Sequence, residues 1–141
     1  MFKFNTRTFC RVQMTKAEQV GLAWGKAYMR EDYSLIKQLL HPDYLCFDHR
    51  MGMEVDFEAE KSLVKTVSQF LTLSPLKILY ENDDVMVGLV FSKYNEVTPR
   101  FMASMITGHF KDGKLFRNEI VREVLDYNPA ETRDWNWEEC E

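Results

Sequence analysis

Apolar positions recur with a helical period in the first half of this chain and alternate in the second half. Between Thr15 and Arg30, the residues Val20, Trp24, Ala27 and Tyr28 fall on one face at i, i+4, i+7 and i+8. Thr15 followed three residues later by Glu18 is the reciprocal capping pattern, so the spacing predicts a helix over Thr15–Arg30. Asp32 or Ser34 opens a second, short helix with the buried stripe Leu35, Ile36, Leu39 and Leu40, which Pro42 stops. A strand over Tyr44–His49 follows. The segment RMGMEVD turns the chain, and Asp56 caps a third helix over Phe57–Leu71 with Leu63, Val64, Val67, Phe70 and Leu71 as its apolar face.

After Pro75 the period drops to two. Lys77–Glu81 reads as a short strand, and Asn82-Asp83-Asp84 as a turn. In Val85–Tyr94 the set Val85, Val87, Leu89 and Phe91 alternates with Met86, Gly88, Val90 and Ser92. Arg100–Phe110 and Leu115–Leu125 are joined at Asp112-Gly113, the strongest hairpin signal in the chain. Three helices enclosing one strand, then four strands in an antiparallel meander, predict an α+β fold. Its helices pack on one face of a curved, mainly antiparallel sheet, forming a cone-shaped half-barrel.

Composition narrows the function classes. The 141 residues are 45% hydrophobic and 28% charged, ordinary for one folded domain. No apolar run is long enough for a membrane span. A net charge of −4 offers no basic face for nucleic acid. Charge divides the chain into three parts. Residues 1–14 carry Lys3, Arg7 and Arg11 with no acid and form a basic extension. Residues 15–125 are nearly neutral and form the domain. Residues 126–141 carry Asp126, Glu131, Asp134, Glu138, Glu139 and Glu141 against the single base Arg133 and form an acidic tail, which Trp135 and Trp137 could dock on the domain. The head has no secretory core. It reads either as part of a mitochondrial presequence or as an extension ahead of a start at Met14. Cys10, Cys46 and Cys140 form no CxxC pair, which points to neither a disulfide framework nor a zinc knuckle and suggests a reduced, cytoplasmic setting.

Candidate chemistry is sparse. No GxSxG, GxGxxG or GxxxxGK[ST] pattern occurs. His41, Asp43, Asp48 and His49 cluster in sequence, but strand alternation separates Asp48 from His49, so no metal is expected. His41 suits a helix C-terminus. The same alternation puts Tyr44, Cys46 and Asp48 on one strand face and Leu45, Phe47 and His49 on the other. Met51, Met53, Met86, Met102 and Met105 would either soften a pocket for a nonpolar ligand or simply fill core.

Three stretches resemble a known superfamily: AWGKAYMREDYSLIKQLLHPDYLCFD, FEAEKSLVKTVSQF and GHFKDGKLFRNEIVRE. Across residues 15–125 the chain resembles the nuclear transport factor 2-like superfamily in its SnoaL-like branch, the relatives of polyketide cyclases and ketosteroid isomerases. The resemblance implies a cavity into which Tyr44, Cys46 and Asp48 point, and a dimer through the outer sheet face, where Arg117 and Glu119 lie. His49 and His109 then point away from the cavity. Aligned with ketosteroid isomerase, Asp48 falls on the general-base position, Trp24 on the oxyanion-hole tyrosine and Gly108 on the protonated aspartic acid. Two of three roles are thus replaced, which argues against steroid isomerisation. The expected pocket is lined by Trp24, Tyr28, Tyr44, Asp48, Ile106, Phe110 and Asn118, with Asn118 able to hold a ligand carbonyl. The expected function is binding of a small apolar organic ligand, with isomerase, cyclase or dehydratase chemistry using Asp48 as base and no cofactor. The alternatives are that Asp48 caps the following loop or pairs with Arg50, and that the protein is a non-catalytic, dimeric ligand-binding or protein-interaction module.

Overall fold

Thr15 caps the first helix as the sequence predicts: its Oγ1 accepts a hydrogen bond from the Glu18 N–H at 3.2 Å. This computed structural model describes residues 13–140. Cys10, Glu141 and all of the basic head except Gln13 and Met14 lie outside the described residues. Helix α1 spans Lys16–Arg30 and closes on Glu31 in the left-handed conformation, φ 53°. Its buried stripe is Ala17, Val20, Ala23 and Ala27. These small side chains let the helix approach the sheet closely, while Trp24 and Tyr28 sit on the flank of the stripe, only partly buried.

Helix α2 spans Ser34–Leu39, and Asp32 Oδ1 accepts from both the Ser34 N–H and its hydroxyl at 3.0 and 2.6 Å. It ends before Pro42, and strand β1 runs over Leu40–Asp48 with the proline inside it. The parallel partner β7 tolerates this because the register slips between Leu40 and Leu45, so the missing N–H of Pro42 falls where the ladder is interrupted.

The segment read as a turn holds a further edge strand, β2 (Met53–Asp56), folded back on β1 through Gly52 at φ 64°. Asp56 then caps α3, Phe57–Val67, accepting from the Ala59 N–H at 2.9 Å. The helix stops short of Leu71. A 3₁₀ turn over Ser68–Phe70 leads into β3, Leu71–Leu73, because pairing β3 with the end of β5 buries Leu71 and leaves Phe70 55% exposed.

The remaining strands are β4 (Lys77–Glu81), β5 (Val85–Tyr94), β6 (Arg100–Lys111) and β7 (Lys114–Leu125). The seven-stranded sheet has the order β2-β1-β7-β6-β5-β3, with β4 also on β5; every pair is antiparallel except β1 with β7. The class is α+β as expected, a helix cluster packed on an open, curved, mixed sheet. The core between helices and sheet is built around Val20, Ile36, Tyr44, Val64, Met86 and Leu115. Leu76, on the β3–β4 link, wedges between α1 and β5. A Cβ at Gly21 or Gly88 would come within 2.8 or 2.7 Å of its side chain, so both glycines are needed for that approach.

Candidate functional site

Alternation along β7 turns Asn118, Ile120 and Arg122 to the inner sheet face. There, with Met86 of β5, Ile106 of β6 and Trp24 of α1, they line a mostly apolar cavity of about 300 Å³. That volume is at the small end of ligand sites and suits a compact organic molecule.

Of the residues expected in the pocket, Trp24, Tyr28, Ile106 and Asn118 lie in its wall. The Trp24 and Tyr28 rings meet at 6.4 Å. Tyr44 and Asp48 share a buried strand face with Cys46, directly behind that wall. Phe110 lies away from the cavity, packed against the core with the Lys16 Nζ 5.6 Å over its ring. Met86 lines the cavity and Met102 is buried, whereas Met51, Met53 and Met105 are exposed. Gly108 sits where the family comparison has an acid, and a Cβ there would come within 2.8 Å of Met86 and 2.9 Å of Leu115. Packing therefore closes that position to a side chain.

The polar groups fall into two sets. In the first, the Tyr44 hydroxyl donates to Glu60 Oε1 at 2.7 Å and accepts from Asn118 Nδ2 at 3.2 Å. Glu60 reaches the cavity from α3 and lines it, so part of the surface it keeps is cavity wall. Burial pushes its carboxyl up from 4.5 to about 7, opposed by the Tyr44 and Cys46 donors and by the charge of Arg122. Burial also raises the Tyr44 hydroxyl and the Cys46 thiol far above their ordinary ranges, with the nearby Glu60 adding to both. The Tyr28 hydroxyl is pushed up to about 12, chiefly by burial. All three stay neutral at physiological pH. The Asn118 Oδ1 is buried and has no hydrogen-bond partner.

In the second set, Asp48 Oδ2 lies 3.1 Å from the Arg122 guanidinium and also accepts from its Nε at 3.2 Å. The other oxygen of Asp48 accepts from the Arg50 N–H at 2.9 Å. Both carboxylate oxygens are thus engaged, one by a cation and one by the backbone of the following turn. Arg122 turns toward the cavity with Asp48 behind it.

The histidines lie elsewhere. His41 Nδ1 accepts from the Asp43 N–H at 3.0 Å, and exposed His49 stacks edge-on with Phe47 at 4.8 Å. Among the described residues no three His, Cys, Asp or Glu side chains are grouped so as to hold a metal ion.

Sequence reasoning missed Glu60 and Arg122. The signal for Glu60 was present: positions 57, 60, 64 and 67 form one helical stripe, and Glu60 interrupts its apolar run. Arg122 shares the alternation that turned Asn118 inward.

Two observations decide the fold's relatives: three helices cover one face of a cone-shaped sheet, and the cavity opens between them. No protein-family model and no curated protein matches the chain. Solved structures do. Wild-type IdmH, a candidate polyketide cyclase from Streptomyces antibioticus, superposes with a TM-score of 0.65 at 11% identity over 78% of this chain and 93% of its own. An NTF2-like protein from Anabaena variabilis gives 0.63 at 12% identity over 79% and 96%. TerC, co-crystallised with polyporic acid, gives 0.61 at 18% identity over 77% and 91%.

The chain has the nuclear transport factor 2-like fold.

Its structural relatives include polyketide-cyclase-type and ketosteroid-isomerase-like proteins. In this nuclear transport factor 2-like chain Glu60 of α3 and Asn118 and Arg122 of β7 give the cavity wall a polar patch, while Trp24 and Tyr28 of α1 make its helical side aromatic.

Proposed function

We propose that this protein belongs to the SnoaL-like group, binds a small, largely apolar organic molecule in the cavity, and moves a proton on it with no cofactor. The observation that carries this reading is the setting of Glu60. It is a carboxyl in the wall of an apolar cavity, held by a buried tyrosine and engaged in no ion pair among the described residues. With its ionisation displaced upward to about 7, it can take a proton from a carbon beside a carbonyl or return one to a leaving hydroxyl. Isomerisation, cyclisation and dehydration all need such a group.

Asp48, the base suggested by the family alignment, is tied on both oxygens. In this proposal it holds Arg122 over the cavity, where the guanidinium faces charge developing on a ligand oxygen. The Trp24 and Tyr28 rings would hold the apolar body, and Asn118 keeps Tyr44 aimed at Glu60. That TerC, which shares this fold, was co-crystallised with polyporic acid supports a small organic ligand here.

A dimer through the outer sheet face belongs to the same proposal. Met105 and Val121 are cross-strand partners at the centre of that face and are 45% and 56% exposed.

A non-catalytic binding module is the second reading. It is favoured by the closed Gly108 position and by a tryptophan in place of an oxyanion-hole hydroxyl. The test begins with native mass spectrometry of gently purified protein, which reports the subunit count and any retained compound. Each retained compound is then incubated with the protein in D2O and followed by NMR. Proton exchange or conversion that survives Asp48→Asn and is lost in Glu60→Gln supports the proposal. Loss in Asp48→Asn with retention in Glu60→Gln overturns it in favour of Asp48. Retention without any exchange or conversion favours the binding module.

A further inference from the structure

The inner sheet face carries serine at two positions where apolar core would be expected. Ser92 of β5 and Ser104 of β6 both line the cavity and are 5% and 3% exposed. A hydroxyl left unpaired on a buried face costs free energy, and alanine would occupy nearly the same space without it. The two hydroxyls therefore ask for a partner.

Neighbouring hydroxyls have theirs within the fold. Ser74, in the same wall, donates to the Pro75 carbonyl at 3.1 Å and accepts from the Phe91 N–H at 2.8 Å. Buried Thr72 accepts from Asn95 Nδ2 at 3.2 Å. The hydroxyls of Ser92 and Ser104 have no hydrogen-bond partner among the described residues. Unlike the orphaned Asn118 Oδ1, which is buried completely, both still touch open space, and the space on this face is the cavity.

Strand register sets the two serines beside Arg122. Ser104 is the direct cross-strand partner of Val90 on one side and of Arg122 on the other. Ser92, opposite Met102, lies diagonal to Ser104, about 7 to 8 Å away on a pleated sheet. Arg122 gives Nε and one terminal nitrogen to Asp48, which leaves its other terminal nitrogen without a partner among the described residues. Three neighbouring strands thus offer two hydroxyls and a guanidinium N–H in one row. Across the cavity, α1 presents the apolar ring of Trp24.

We infer that the row Ser92, Ser104 and Arg122 reads oxygen atoms of the ligand, and that the ligand is an apolar molecule carrying carbonyl or hydroxyl oxygens along one edge. The inference rests on the cavity being the ligand site, as proposed above. A carbonyl oxygen accepts from Ser104 and from Arg122, and a hydroxyl can also donate to either serine. Water serves these hydroxyls only until a ligand displaces it. A methyl group arriving there strands them, whereas an oxygen replaces the bonds that are lost.

Equilibrium dialysis of the full chain at neutral pH against 2-naphthol and against 2-methylnaphthalene tests this, because the two compounds differ by a hydroxyl for a methyl. The readout is the ratio of their Kd values, in which affinity for the shared rings cancels. Ser104→Ala should shift that ratio about tenfold toward the methyl compound, and Ser104→Thr, which keeps the hydroxyl, should leave it near the wild-type value. The double variant Ser92→Ala, Ser104→Ala should shift it further. Because no described protein group uses these hydroxyls, both alanine variants should unfold in urea at a midpoint equal to or above that of the wild type. A lower midpoint with an unmoved ratio assigns the hydroxyls to the fold and overturns the inference. A ratio that neither alanine variant moves overturns the oxygen row and leaves the cavity as a ligand site. Failure of the wild type to bind either compound overturns the cavity as a ligand site, and the oxygen row falls with it.

Discussion

Replacing Glu60 by glutamine tests the electrostatics of the cavity without any knowledge of the ligand. Glutamine keeps an oxygen that accepts from the Tyr44 hydroxyl and has nearly the same volume, so it removes the charge and little else. In the folded protein the Glu60 carboxyl is raised from 4.5 to about 7, chiefly by burial. Between those two values the folded state binds more protons at this site than the unfolded state, so this group makes stability fall as pH rises. The full displacement corresponds to on the order of 3 kcal/mol, fully felt above the folded value and absent below the unfolded one. Water reaching the carboxyl through the cavity reduces this, so we expect Glu60→Gln to stabilise by about 1 to 3 kcal/mol in mild alkali. The gain should shrink toward nothing in acid, where wild-type Glu60 is itself neutral. Urea unfolding of both proteins at about pH 5 and about pH 8.5 reads the difference, and other titrating groups cancel between the two. A gain equal at both pH values, or larger in acid, would refute the placement of Glu60 in a low-dielectric wall.

Other expectations follow from the same geometry. Tyr44→Phe removes a donor that favours the ionised form, so the Glu60 midpoint, followed by carboxyl-carbon NMR, should move higher still; a fall would contradict the hydrogen bond. Arg122→Leu strands Asp48 as a buried, uncompensated charge and should cost about 3 to 5 kcal/mol in thermal or urea unfolding, whereas adding Asp48→Asn should recover much of it; strict additivity would show the pair is not coupled. Gly108→Ala drives a methyl into Met86 and Leu115 and should cost about 1 to 3 kcal/mol; a neutral result would mean that position is open after all. Val121→Arg places a charge on the exposed centre of the outer sheet face and should convert the proposed dimer to monomer in native mass spectrometry without loss of fold.

Much of the fold was legible because its signals are local. Thr15 and Asp56 cap the helices they were expected to cap, and Asp112-Gly113 joins the two longest strands. What was not legible depends on partners far away in sequence. Nothing near Pro42 announces that β1 begins at Leu40, because the slip that accommodates the proline belongs to β7, more than seventy residues later. The short strands β2 and β3 are too brief to show alternation and exist only through pairing with β1 and β5. The site divides in the same way. Strand alternation correctly grouped Tyr44 with Cys46 and Asp48, but alternation cannot say which inward residue reaches the cavity and which stays behind its wall. Glu60 was hidden by a different choice: an apolar face drawn through Leu63 and Phe70, both of which are exposed, passes beside the stripe that holds it.

The two carboxylates illustrate why environment rather than alignment assigns a role. Glu60 reaches the cavity from α3 while Asp48 lies behind the cavity wall on β1, and the charge of Asp48 acts on Glu60. Asp48 has a guanidinium on one oxygen and a backbone N–H on the other, so both of its oxygens are engaged. Glu60 has two neutral donors, the Tyr44 hydroxyl at 2.7 Å and the Cys46 thiol, and no ion pair among the described residues, which leaves burial in control. A second negative charge is easier to avoid than to bear in so small a volume, so ionised Asp48 helps to keep Glu60 protonated near neutrality. In the proposed function one carboxylate is the fixed counter-ion that orients Arg122, and the other is the group that exchanges a proton. Removing the charge of Asp48 should therefore lower the Glu60 midpoint as well as loosen Arg122. An Asp48→Asn protein whose Glu60 titration is unmoved would separate the two groups and leave the cavity with a single, unassisted acid.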